Sequence, residues 1–233
     1  MNPLIPAYVT ANPPADINEC RIVKITVMVD GSPQEGVVEY NSDSNPISVT
    51  FPDTATGVPN YEFKYDIHSR LSDCIQSYSN GAYMYWIKYY YDDRGRVVLE
   101  VVHRDGQMSE SPAPIGMSLV WNLLKYDDQD RIIEEKIFDK DGDTGSGATY
   151  TYDAGGNREF PGAVYDDRLN FRKTNKVWML LERDYSLCNR FVAQAYNLHD
   201  LPTQIGNGSG TDEYAYYFLN RSLLNGTIEY SCS

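Results

Sequence analysis

The chain has 233 residues, with 33 acidic against 20 basic side chains and a net charge of −13. That balance repels a phosphate backbone, and no Lys/Arg stripe reverses it locally, so nucleic acid is excluded as a partner. No run of about 18 apolar residues occurs, which leaves no candidate for a membrane-crossing helix, and the N-terminus lacks the basic, apolar and small-residue pattern of a signal peptide.

Residues 1–17 carry Pro3, Pro6, Pro13 and Pro14 and little periodicity, so an extended arm is expected there. It would suit a lipid anchor or signal removed upstream. Residues 18–233 are expected to form one all-β domain. Twenty tyrosines against seven phenylalanines favour strands with one face near water, because a phenol buries its ring and keeps its hydroxyl wet.

In chain order, strands are expected at Ile22–Val29, Val37–Tyr40, Ile47–Phe51, Tyr61–Tyr65, Arg70–Tyr78, Tyr83–Tyr91, Arg96–His103, Leu119–Tyr126, Arg131–Phe138 and Thr149–Tyr152. Further strands are expected near Val164 and at Val177–Tyr185, Arg190–Tyr196, Leu201–Ile205, Glu213–Leu219 and Thr227–Tyr230. No window shows convincing 3.6-residue periodicity, so no helix is expected. About sixteen strands exceed what an open twisted sheet usually holds, which points to a barrel, half-barrel or strongly curved antiparallel sheet.

One unit recurs along the chain: Tyr65-Asp66 with Arg70-Leu71, Tyr91-Asp92 with Arg96-Val97, and Tyr126-Asp127 with Arg131-Ile132. Looser copies start at Tyr40, Tyr152, Tyr165, Tyr185 and Tyr196. The spacing reads as a hairpin in which Tyr ends one strand, Asp or Asn opens the turn through its side-chain acceptor, and Arg starts the return strand opposite the Tyr. The guanidinium is then expected to lie across that ring and to face the turn's carboxylates.

Tyr91-Asp92-Asp93-Arg94-Gly95-Arg96 and its degenerate copies resemble the YD repeats of Rhs-type bacterial surface and secreted proteins, over most of residues 35–206. The chain is also similar in overall character to secreted Bacteroidetes domains of unknown function described as having a porin-like fold. The resemblance implies a meandering antiparallel sheet and a bacterial cell-envelope location, and it brings no catalytic residues with it. Membrane spanning is not implied: Arg131–Phe138 puts charged residues on both faces, whereas an outer-membrane strand keeps its lipid side apolar.

Cys20, Cys74, Cys188 and Cys232 are widely spaced, which excludes a CxxC-type motif. Two disulfides in three pairings are open to them, but four half-buried thiols are expected, since a domain of this size needs no staple. No HExxH, GxSxG, Walker or Cys-His pattern stands out, and His68, His103 and His199 are read as solvated. The longer connections, 52–60, 79–82, 104–117 and 139–148, gather at one end of the meander and are the first place to seek a site.

Two candidate sites follow. Asp139, Asp141 and Asp143 match the start of a calcium loop, but Thr144 stands where Gly is required, so at most a weak Ca²⁺ site is expected and no other cofactor. Trp86, Trp121 and Trp178 lie at odd spacing before a repeat Tyr, opposite the Tyr face, where rings could stack on a sugar or serve as core. The expected role is non-catalytic binding of a glycan or other small ligand, with a structural or protein-interaction module as the alternative. A glycosidase is third, because its two carboxylates need no local motif.

Overall fold

The computed structural model describes residues 20–29, 31–52, 59–108, 118–208 and 213–232; the expected arm at 1–17 lies outside them. The chain is all-β, with antiparallel pairing throughout. It divides into two compact units, Glu39–Tyr150 and Met1–Val38 with Thr151–Ser233.

Glu39–Tyr150 holds a meander of β3 (Pro46–Thr50), β4 (Asn60–Tyr65), β5 (Leu71–Ser77), β6 (Ala82–Tyr91), β7 (Val97–Gln107), β8 (Ser118–Tyr126), β9 (Ile132–Asp139) and β10 (Gly142–Thr149), each beside the next in sequence. In the other unit the order is β2 (Ser32–Tyr40), β1 (Cys20–Val29), β15 (Thr227–Cys232), β12 (Pro202–Gln204) and β11 (Ala195–Tyr196). β10 pairs only with β9 and β11 only with β12, so the described strands do not close into a barrel.

The turns explain why the repeat is written as it is. Asp66 Oδ1 accepts from the N–H groups of His68 and Arg70, its own N–H donates to the Arg70 carbonyl, and Ser69 takes a left-handed conformation at φ 56°. Asn41, Asp92, Asp127, Asp153 and Asn197 close the same Asx-type turn, with Ser44, Gly95, Asp130, Gly156 and Asp200 as the left-handed residue. Burial works against the charge on Asp66, but hydrogen bonds from the Arg70 backbone and side chain and from His68 outweigh it and bring its carboxyl down to about 2.

The arginine does not behave as the spacing suggests. A register shift places the next aliphatic opposite the tyrosine instead, giving Tyr65 with Leu71, Tyr91 with Val97 and Tyr126 with Ile132. The guanidinium keeps its own turn aspartate, Arg96 to Asp92 at 2.6 Å, but lies over the tyrosine of the following repeat: Arg70 over Tyr91 at 4.5 Å and Arg96 over Tyr126 at 5.1 Å. The tyrosine hydroxyls reach the other way. Tyr65 donates to the Pro46 carbonyl, Tyr91 to Leu71 and Tyr126 to Val97, each at the start of the preceding return strand. The Tyr65, Tyr91 and Tyr126 repeats are thus tied in succession by a ring, a hydroxyl and a guanidinium.

Further expectations are corrected. No strand forms near Val164, and of Glu213–Leu219 only Tyr217–Phe218 is strand, Glu213–Tyr216 being a short 3-10 helix. Val177–Tyr185 is not a strand: Lys176–Glu182 forms a helix, α1, capped by the Asn175 side chain, which accepts from Val177 N, and ended by Arg183 at φ 52°. Seven residues make barely two turns, too few for a 3.6-residue period to show. Residues 139–148 are not a long connection but the β9–β10 hairpin. Within Gly-rich β10, a Cβ on Gly147 would stand 2.1 Å from the Glu135 carbonyl oxygen, so close pairing there requires glycine.

The cysteines are not four thiols either. Cys20 and Cys232, opposite one another on β1 and β15, form a disulfide across 212 residues, while Cys74 and Cys188 are free and buried. In the chain-entropy picture a link over so long a loop disfavours the unfolded ensemble by about 5 kcal/mol.

The Glu39–Tyr150 unit buries the tyrosine side of its sheet, with Tyr61, Phe63, Cys74, Tyr89, Val102 and Leu124 all shielded. The other unit packs Phe171 against Phe191 and Phe218, and Phe218 against Trp178, while buried Arg172 lies over the Phe171 ring and faces Glu182 and Asp184. Among the described residues no helix is long and apolar enough to cross a membrane.

Tyr91→Phe keeps the ring and deletes the hydroxyl bridge to Leu71. It is expected to lower stability by about 1 kcal/mol at an unchanged urea m-value. An unmoved urea midpoint would remove the hydroxyl ladder from the stabilising interactions.

Candidate functional site

The three tryptophans do not form one surface. Trp86 on β6 and Trp121 on β8 share a sheet face, because Trp86 pairs with His103, Trp121 pairs with Val101, and residues two apart on β7 point the same way. That face is opposite the repeat tyrosines, as the odd spacing suggests. Trp178 lies on α1 in the other unit, where strand parity does not apply, and is fully buried against Phe218.

Trp86 is also shielded, at 3% exposure, and its Nε1 donates to Asp73 Oδ1 at 2.7 Å. Tyr83 meets it edge-on, and the ammonium groups of Lys64 and Lys88 sit 5.2 and 5.6 Å from its ring centre. Lys88 also pairs with Asp73 at 2.8 Å. Burial opposes the charge on Asp73, but the bonds from Lys88, Trp86 and Ser72 outweigh it and hold its carboxyl below the usual range. Trp86 is therefore a core ring roofed by lysine stems.

Trp121 is only half-buried. Phe138 stands directly opposite it on β9 and Val101 on β7, and Leu99 and Leu123 form the next pair along. Leu123 is 44% exposed, and Tyr90, opposite Leu99 on β6, is 48% exposed. The result is an aromatic and aliphatic strip across four adjacent strands, edged by exposed Lys125 and Lys136 with Glu134 between them, and by the Lys88–Asp73 pair. Sequence spacing identified Trp121 but missed Tyr90, Leu99 and Phe138, whose grouping depends on strand register.

Asp139, Asp141 and Asp143 sit at the tip of the β9–β10 hairpin, each with a local partner. Asp139 Oδ1 accepts from Asp141 N, Asp143 Oδ1 accepts from Gly145 N, and Lys140 holds both Asp141 oxygens at 2.7–2.8 Å. Among the described residues the one convergent group of potential metal ligands is Cys20, His199 and Cys232. Burial pushes the free thiol of Cys188 up to about 11 and raises that of Cys74 as well, so both stay protonated and weakly nucleophilic at neutral pH.

The unit containing Thr151–Ser233 has two open clefts, one beside Gln204, Glu229 and Tyr230, the other beside Arg158, Phe160 and Tyr165. Phe160 lies beneath the guanidinium groups of Arg158 and Arg190, and Tyr165 donates to the Arg158 carbonyl. In the same unit Asp166 accepts from Asn189, Arg168 N and the Tyr196 hydroxyl, yet burial dominates and raises its carboxyl to about 6. A scan against protein-family models finds no match to this chain, and a search of curated proteins finds none either.

Two outcomes are expected. Only Trp121 is open to solvent quenchers, so Trp121→Phe should remove the iodide-accessible part of the tryptophan emission; a quenchable fraction that survives would show Trp86 or Trp178 to be exposed. Asp166 folds more readily in its protonated form, so its contribution is present below about pH 4 and is lost as pH rises through about 6. Urea titrations should show this decline in wild type and lose it in Asp166→Asn.

Proposed function

We propose that the chain is a non-catalytic binding protein of the bacterial cell envelope, and that it recognises a glycan through the Trp121 face. The observation that carries this reading is the half-buried Trp121 opposite Phe138, on an open sheet face continued by exposed Leu123 and Tyr90. A strip of this kind offers ring faces to the axial C–H groups of a pyranose chain, while the neighbouring Lys88, Asp73, Lys136 and Glu134 supply donors and acceptors for hydroxyls. The envelope location is supported by the likeness of the Tyr-Asp repeat to Rhs-type repeats.

A second reading is a protein-interaction module. It is favoured by the charged rim of Lys125, Glu134 and Lys136 around the apolar strip, an arrangement common to protein interfaces.

The test is co-sedimentation with a panel of insoluble and soluble polysaccharides, comparing wild type with Trp121→Ala. Under the glycan reading, at least one polysaccharide retains wild type and Trp121→Ala weakens retention by roughly tenfold or more, the scale of a lost central aromatic anchor. Retention that is indifferent to Trp121→Ala, or absent for every polysaccharide, would overturn it. Release of reducing ends during incubation would overturn the non-catalytic part.

A further inference from the structure

We propose that reduction of the Cys20–Cys232 disulfide opens a binding site for a thiophilic divalent cation, zinc foremost, held by the two cysteine sulfurs and the His199 imidazole. All three residues belong to one compact unit. The pairing of β1 with β15 places Cys20 opposite Cys232. His199 comes from the turn between β11 and β12, where the Asn197 side chain accepts from both His199 N and Leu201 N and fixes the backbone. β12 is held to β15 by its register and by the Tyr230 hydroxyl, which donates to the Pro202 carbonyl.

The three ligand atoms lie within 4.8 Å of one another. Tetrahedral zinc, with bonds of about 2.3 Å to sulfur and 2.0 Å to nitrogen, needs sulfur–sulfur and sulfur–nitrogen separations of roughly 3.5–3.8 Å. Opening the disulfide lets the sulfurs move apart to that distance, and the imidazole needs to approach by only about 1 Å. The imidazole also has a reason to accept a metal. His199 Nδ1 is shut off from solvent and has no hydrogen-bond partner among the described residues, a state that costs free energy until something binds there. Cys232 and His199 are partly exposed, which gives an ion a path in and leaves room for water as a fourth ligand.

The chemistry balances with a dithiol of the thioredoxin class as reductant. The Cys20–Cys232 bond takes up two electrons and two protons, the dithiol leaves as its own disulfide, and the cation then displaces the two thiol protons to solvent. Thiol–disulfide exchange with the oxidised, disulfide form of a dithiol of that class reverses the sequence: the two electrons pass to that partner, Cys20 and Cys232 rejoin, and the ion is expelled because disulfide sulfur is a poor ligand. The corner is thus either a covalent link or a metal site, according to redox state.

The full chain is reduced anaerobically with a phosphine and titrated with cobalt(II), whose tetrahedral thiolate complexes show charge-transfer absorption in the near ultraviolet and d–d bands in the visible. One equivalent should bind to reduced wild type and none to the oxidised protein. His199→Ala should weaken binding roughly tenfold or more. Absence of the bands in reduced wild type would overturn the proposal. So would their persistence in the Cys20→Ser/Cys232→Ser variant, which keeps Cys74 and Cys188, or their indifference to His199→Ala. Should reduction alone unfold the chain, zinc must restore the near-ultraviolet circular dichroism, and failure to do so would overturn the proposal equally.

Discussion

Everything in the meander depends on how one tyrosine is used by two repeats. Its ring is covered by the guanidinium of the repeat before it, and its hydroxyl donates to the carbonyl where that repeat's return strand begins. The arginine cannot swing away, because the carboxylate of its own turn aspartate grips it, and the aspartate is in turn fixed by two backbone N–H groups. A slip by one residue would move the tyrosine to the other face and break all of these contacts together, so the set fixes register well beyond what its separate energies suggest.

That division of labour explains where function can reside. The tyrosine side of the Glu39–Tyr150 sheet is spent on holding the strands together and on the core, whereas the opposite side carries no repeat residue. Side chains there answer only to their neighbours across the strands. At the β5 and β6 end they close over Trp86 with lysine stems, and at the β8 and β9 end they leave Trp121 and Leu123 open. A surface free of structural duty, presenting an aromatic ring beside charged groups, is where recognition can vary without disturbing the frame.

Much of this was legible in the sequence, and the exceptions have physical causes. The Tyr-Asp turn is local chemistry, so its Asx hydrogen bonds could be read from residue types alone, whereas its left-handed residue is serine or aspartate as often as glycine and was not. The shared face of Trp86 and Trp121 followed from odd spacing along unbroken strands. The turn aspartate that each repeat arginine holds was legible, whereas the ring beneath Arg70 and Arg96 was missed because a tyrosine of the next repeat is a long-range neighbour. α1 was missed because Val177, Trp178 and Leu180 in a short helix do not separate the two periods. β10 was missed because Gly142, Gly145 and Gly147 have the composition of a loop, and only the approach of Glu135 shows why glycine is needed in that strand. The Cys20, His199 and Cys232 corner was illegible because it exists only where the first described strand meets the last.

That meeting point gives the covalent structure an unusual property. With Cys20 joined to Cys232, the residues between them form a closed ring rather than a line. A single protease cut in any connection inside that ring turns the ring into one open but unbroken covalent chain and sheds no fragment. Two cuts are needed before a piece can leave, and the strand pairing then still has to fail. Resistance to trimming is in this sense a property of connectivity, present even where an individual loop is easily cleaved.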